Sequence, residues 1–252
     1  MTDHILTERA GDAGALNVIR FNRPDKKNAI TRAMYQAMAE ALTDGEADAS
    51  VRAHVMLGTP GAFSSGNDLQ DFMAVAMGAS NGAEVTDFLL ALARLTKPLV
   101  SGVDGLAIGI GTTIQMHCDL TFATPGSRFH TPFVDLALVP EAGSSLLAPA
   151  IMGHQKAFAL LAAGHPFSAE EAECAGLIFR VVDADALESA VFEAASALAA
   201  KPPQALAIAR RLVKPDPETV VARIREEGAL FASQLKSAEA LAAFQAFMAR
   251  KK

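Results

Sequence analysis

Cysteine is scarce in this chain of 252 residues: Cys118 and Cys174 lie far apart and form no Cys-x-x-Cys pair. That excludes a disulfide framework and a zinc knuckle, and makes a reducing cytoplasm the simplest compartment. Basic charge is not in excess, with 22 Lys and Arg against 28 Asp and Glu for a net charge of −6, which argues against a nucleic-acid partner. Uncharged runs are cut at Asp104, Asp119 and Lys156 before they reach membrane-spanning length, and Met1-Thr2-Asp3-His4 lacks the basic opening of an export signal. No Gly-x-Ser-x-Gly occurs, and the six histidines show no His-Glu-x-x-His spacing, so neither a nucleophile elbow nor that zinc motif is signalled. Exact repeats and low-complexity tracts are also missing. What remains is a chain with 51 % apolar residues, the composition of a globular protein with one large domain, or one domain and an appendage.

The order of elements is β/α first and helical later. Ile5 to Ala10 and Ala15 to Phe21 flank Gly11-Asp12-Ala13-Gly14 and read as a hairpin. Thr31 caps a helix carrying Met34, Met38 and Leu42, with Gly45 as its stop. Strands are expected at Val55 to Gly58, Leu99 to Val103 and Leu120 to Ala123, and helices from Asp68, around Asp87 to Leu95 and from Ile110 to His117. Beyond Ser144 only Leu177 to Val182 looks extended, and Ser168-Ala169-Glu170-Glu171 forms a capping box. Lys201-Pro202-Pro203 then breaks an Ala-rich helix. The chain divides into residues 1–200 and a helical region, 201–252, with amphipathic segments at Gln204 to Lys214 and Glu218 to Arg250. That tail is too small to fold alone and should pack on the body or on another subunit.

Three short stretches can carry chemistry. Gly105-Leu-Ala-Ile-Gly109-Ile-Gly111-Thr-Thr resembles a nucleotide loop, but Ile114 stands where Gly-x-Gly-x-x-Gly needs glycine, and Thr112-Thr113 offers no P-loop lysine. It serves either close helix–sheet packing or a ligand at a helix N-terminus, where free N–H groups favour negative charge. Phe63-Ser64-Ser65-Gly66-Asn67-Asp68-Leu69 also joins a strand to a helix, with Asp68 as an ordinary N-cap. One amide from each corner would make an oxyanion hole. Glu141, in Pro140-Glu141-Ala142-Gly143-Ser144-Ser145, is either a solvated acid at a helix start or a functional carboxylate.

Taken in order, Asn22-Arg23-Pro24 with Asn28-Ala29, then Phe63 to Leu69, Pro98 with Gly105 to Gly111, and Pro140-Glu-Ala-Gly143, the chain resembles the crotonase (enoyl-CoA hydratase/isomerase) superfamily from about residue 5 to about residue 245. The resemblance implies an α/β fold, a crotonase-like spiral of ββα units with a C-terminal helical trimerisation region. It implies an acyl-CoA thioester as partner, gripped by the backbone amides of Asn67 and Ile110, and a homotrimer or dimer of trimers. Beyond the CoA of the substrate, no cofactor and no metal are expected. By position, Lys26, Lys27, Ala29 and Ile30 fall beside the pantetheine and phosphates. Ser64, Ser65, Gly66, Asp68 and Leu69 fall around the adenine. Gly109 and Phe133 join the substrate pocket, with Leu136, Phe72 and Met73. Lys26 and Lys27 equally suit a solvated turn.

The departures from the family pattern select the chemistry. The two glutamates of its hydratases correspond here to Thr113 and Phe133, neither of which moves a proton at neutral pH. Glu141 matches the single catalytic glutamate of the peroxisomal type of Δ3,Δ2-enoyl-CoA isomerase. The expected reaction is therefore the conversion of 3-enoyl-CoA to trans-2-enoyl-CoA with one acid/base. Hydration or thioester hydrolysis with a partner such as Asp135 is the second reading. The third is a weakly catalytic acyl-CoA-binding subunit. Burial should raise the pKa of Glu141 and its helix N-terminus should lower it, a contest the sequence leaves open.

Overall fold

Alternation near the start of the chain folds as expected. In the computed structural model, which describes residues 2–76 and 82–249, β1 (Ile5–Ala10) pairs antiparallel with β2 (Leu16–Phe21). Beside β2 run β3 (Ala53–Leu57), β5 (Leu99–Val103), β7 (Leu120–Ala123) and the two-residue β10 (Arg180–Val181), all parallel. Every residue of β3 and β5 is buried because helices cover both faces. Ile19 and Phe21 point toward α1 (Arg32–Ala47) and α3 (Ala83–Arg94), whereas Leu16 and Val18 point toward α7 (Leu187–Ala199).

A second, smaller sheet stands beside the first. It consists of β4 (Ala62–Ser64), β6 (Leu106–Ile108) and β8 (Arg128–His130) in parallel, closed by antiparallel β9 (Phe167–Ser168). Each pass of the chain gives one strand to each sheet, β3 then β4, β5 then β6, β7 then β8, before turning into a helix. That repetition is the expected ββα spiral. Its helices include α2 (Leu69–Ala76) and α4 (Ile110–Thr113), both of which leave the small sheet through sharp corners.

Several boundaries differ from expectation. Gly45 does not stop α1; a Cβ there would lie 2.6 Å from both the Asn17 amide and the His54 ring, so this glycine permits packing within the helix. α4 passes at Ile114 into a 3-10 turn that ends at His117. Asp68 precedes α2 and caps it, accepting from the Gln70 and Asp71 amides at 3.0 and 3.3 Å. Of Leu177 to Val182 only β10 joins a ladder. α5 (Ser144–Leu161) is kinked at Gly153, and α6 (Ala169–Ala175) carries the expected Ser168 capping box.

The tail is three helices, α8 (Pro203–Val213), α9 (Pro217–Leu235) and α10 (Ala238–Ala249), because the segment from Glu218 breaks at Lys236 and Ser237 caps the next helix through the Ala240 amide. Its apolar residues divide. Ile224, Leu235 and Phe244 enter the main core, while Ile208, Leu212, Leu230 and Leu241 stay exposed. The side chains of Phe247 and Met248, and Arg250 as the end of the tail, lie outside the described residues.

Candidate active site

The small sheet sets two strand-to-helix corners side by side. β4 and β6 are paired, so the corner Ser64 to Asn67 runs against the corner Ile108 to Ile110. Their approach is close: a Cβ on Gly66 (φ 92°) would meet the Ile108 carbonyl at 3.1 Å, and one on Gly111 would meet the Ser64 carbonyl at 3.0 Å. Gly109 has open space around it but takes φ 55°, ψ −120°, a backbone state essentially restricted to glycine. Its glycine is required by dihedral angle and not by crowding. Among the described residues, the fold's own hydrogen bonds use neither the Asn67 nor the Ile110 amide. Two unpaired donors thus sit at adjoining corners, one of them at the first turn of a helix.

These corners border a cleft of about 1000 Å³, walled by Lys26, Ala29, Ser65, Leu69, Phe133 and residues of α10. A smaller cavity of about 160 Å³ lies behind it, sharing the wall Asn67, Asp68, Phe72 and Phe231, and Glu141 faces this inner space. Phe72 packs edge-on against Phe231 of α9 and obliquely against Phe244 of α10, so the helical tail closes the site.

The Glu141 carboxyl accepts a hydrogen bond from the Thr113 hydroxyl at 2.6 Å. Burial pushes its pKa up to about 8; the Thr113 hydroxyl pulls it down, and the charge of Glu227 pushes it further up. The contest left open by the sequence is decided by desolvation. Of the other acids around these spaces, Asp68 pairs with Arg23 at 2.7 Å and Asp71 accepts the Arg32 amide at 2.7 Å, while Asp135 stands on the wall of the large cleft.

Of the residues expected at CoA, Lys26, Ala29, Ser65, Gly66, Asp68, Leu69, Gly109 and Phe133 line the cleft. The structure takes others elsewhere. Ser64 is fully buried, its hydroxyl donating to the Asn28 carbonyl and accepting from the Gly66 amide, which shapes the corner. Ile30 is buried against the inner cavity, and Lys27 is exposed outside the cleft. Asp68 stays on the cleft wall, with its carboxylate held by Arg23 and by the start of α2.

Three residues were not legible as site residues. Tyr35 is buried and donates to the Asn67 side chain at 2.5 Å. His117, whose pKa burial lowers to about 4, is neutral and donates through Nε2 to the Ala142 carbonyl at 2.7 Å. Glu227 accepts from the Gly143 amide at 2.6 Å. For Glu227 a signal existed: Val220, Ile224, Glu227, Phe231 and Leu235 recur at three- and four-residue steps, placing a carboxylate on the apolar stripe of α9.

Comparison with known proteins bears on the family and the fold. The enoyl-CoA hydratase/isomerase family model matches residues 11–252. Enoyl-CoA delta isomerase 2 of Rattus norvegicus is 36 % identical over 244 residues; the match covers 94 % of this chain but only 62 % of that longer protein. A probable enoyl-CoA hydratase of Rhizobium meliloti is 30 % identical, with 98 % of this chain and 96 % of the relative covered. The solved structure of Pseudomonas aeruginosa OdaA superimposes with a TM-score of 0.92 at 40 % identity, covering 98 % of this chain and 99 % of that one. A four-motif resemblance, a two-sheet spiral and a family match over nearly the whole length have one explanation: the chain belongs to the enoyl-CoA hydratase/isomerase family.

Proposed function

We propose that this protein isomerises 3-enoyl-CoA to trans-2-enoyl-CoA with Glu141 as its single acid/base. The observation that carries the reading is the setting of Glu141: a carboxyl facing the inner cavity and hydrogen-bonded to Thr113. The family resemblance adds that Thr113 and Phe133 stand where its hydratases carry acids. Shifting the double bond removes a proton from C2 and returns one to C4. One carboxyl that reaches both carbons suffices, and no water is activated. The electron pair left at C2 delocalises onto the thioester oxygen, where the Asn67 and Ile110 amides receive it; such a donor contributes about 10²–10³ in rate. Collapse of the dienolate then takes the proton at C4 and restores the carboxylate. A carboxyl titrating near 8 leaves about one molecule in ten ionised at pH 7, with a base strength close to the working pH.

In this reading the CoA moiety occupies the large cleft with Lys26 beside its phosphates, and no further cofactor or metal takes part. The exposed Ile208 and Leu212 of α8 support a threefold assembly, as a trimer or a dimer of trimers. The two free cysteines support a reducing, cytoplasmic setting.

The test is direct. Purified protein is assayed with 3-hexenoyl-CoA and with crotonyl-CoA, alongside Glu141→Gln, which keeps the volume and removes the base. Isomerase kcat should fall by at least about 10³ in the variant with CoA affinity little changed. Activity within tenfold of wild type would refute the role of Glu141. Hydration of crotonyl-CoA that depends on Asp135, a cleft residue, would favour the hydratase reading, and inactivity toward both substrates the binding-subunit reading.

A further inference from the structure

The turn that bears Glu141 is conformationally expensive, and helix α9 holds it. Ala142 takes φ 62° and Gly143 φ 72°, two successive left-handed residues, and for alanine that state costs roughly 1 kcal/mol. Glu227, only 4 % exposed, crosses from α9 to this turn. Its Oε2 accepts from the Gly143 amide at 2.6 Å, and its Oε1 accepts from the Ser145 amide at 2.9 Å and the Ser145 hydroxyl at 2.5 Å. Both oxygens act only as acceptors, the arrangement of a carboxylate capping the first turn of α5. α9 also seats its Val220 and Ile224 side chains close to Gly143.

We propose that Glu227 is a positioning residue: it clamps the turn from Gly143 to Ser145 so that the Glu141 carboxyl stays directed at Thr113 and the inner cavity, and it supplies the charge against which Glu141 ionises. The proposal rests on the isomerase reading for its kinetic consequence but not for its geometry. Other groups facing Glu141 do not replace that charge. From α4 comes the Thr113 hydroxyl, and from α1 the Tyr35 phenol, already donated to Asn67. From the 3-10 turn comes neutral His117, beyond which Lys214 and Arg210 share the one carboxylate of Asp119 and act on the His117 ring that stands between them and Ala142. On the cavity rim Arg32 pairs with Glu84 and Arg23 with Asp68, while Asp71 is tied to the Arg32 amide. Arg223 of α9 donates to the Ser145 hydroxyl and pairs with Glu226. Glu227 is thus the charge that acts on Glu141 across the turn, in the direction that opposes its ionisation.

Two substitutions separate reach from charge. Glu227→Gln removes the charge and places an amide N–H against a donor, whereas Glu227→Asp keeps the charge and shortens the reach. With 3-hexenoyl-CoA, kcat should fall about tenfold in both, with KM nearly constant, since misplacement of about 1 Å costs up to roughly 10²-fold. The rising limb of the pH profile of kcat/KM should move down by about half a unit to one unit in Glu227→Gln only. Loss of stability with kcat per folded molecule and the limb both unmoved would overturn the proposal. If Glu227→Gln does not fold, Glu227→Asp still decides: unchanged kcat there overturns it. Titration of the ¹³C-labelled Glu141 carboxyl, identified through Glu141→Gln, reads the same shift without any turnover. A wild type without isomerase activity but with a displaced Glu141 titration in Glu227→Gln refutes the reaction and keeps the clamp.

Discussion

Replacing Glu141 by Gln should make the protein less sensitive to rising pH, by an amount that follows from the raised pKa of its carboxyl. In the unfolded chain this carboxyl loses its proton near 4.5; in the folded protein it keeps it to about 8. Between these values the native state binds a proton that the unfolded state has lost, so stability falls as pH rises through the window. From pH 6 to pH 8 the loss is about 2 kcal/mol for a 3.5-unit difference, equivalent to roughly 5–9 °C in Tm for a chain of this size. The variant lacks this component, while all other titrating groups are common to both proteins and cancel in the difference. Urea denaturation followed by far-UV circular dichroism suits the measurement, because the chain has no tryptophan. Wild type minus variant should change by about 2 kcal/mol between pH 6 and pH 8, in the direction of a relatively weaker wild type at the higher value. Parallel curves, within about 0.5 kcal/mol, would mean that Glu141 is not protonated in the native protein, and the argument for a poised base would fail with it.

Other expectations concern different parts of the molecule. Asn67→Ala should retain most turnover, since the amide is the proposed donor, but it strands the buried Tyr35 hydroxyl at a cost of about 1–3 kcal/mol; Tyr35→Phe in the same chain should recover stability, and inactivity of the folded single variant would displace the oxyanion hole. Gly109→Val should lose turnover far more than Asn67→Ala through its dihedral angles alone; a stable Val variant with normal kcat would contradict this. Glu46, drawn down to about 2 despite burial by bonds from His54, Thr96 and Lys97, contributes stability that is full above pH 4.5 and lost as pH falls toward 2; acid unfolding of Glu46→Gln that matches wild type would remove that role. Light scattering at micromolar concentration should give a trimer or hexamer, and Leu212→Asp with Ile208→Asp a monomer; a monomeric wild type would refute the assembly.

Long elements were legible because period and caps agree in them. The hairpin, the helix begun by Thr31 and the buried strand at Leu99 each carry a pattern longer than one turn or pleat. The second sheet was not legible, since strands of three residues such as Ala62–Ser64 and Leu106–Ile108 have no period and exist only through their partners. Gly45 misled because a glycine that admits His54 looks, in one dimension, like one that ends a helix. Glu141 and both corners were found from motif order, but nothing local says which way a side chain turns. Ser64 and Ile30 face inward because β4 and the bridge between Ile30 and Asn67 orient them so. Glu227 lies more than eighty residues downstream of the turn it caps, a contact fixed only by tertiary packing.

The wall built by Phe72, Phe231 and Phe244 has a consequence for how the molecule comes into being. On the ribosome the residues of both corners and the Glu141 turn emerge well before α9 and α10, and domains consolidate from the N-terminal side as they emerge. Until Phe244 arrives, the nascent chain presents Phe72 and Phe231 to water, an adhesive surface beside the proposed substrate cleft. The wall therefore forms only once the helix from Ala238 has been made, and a ribosome stalled before that residue leaves Phe72 and Phe231 uncovered beside the candidate site.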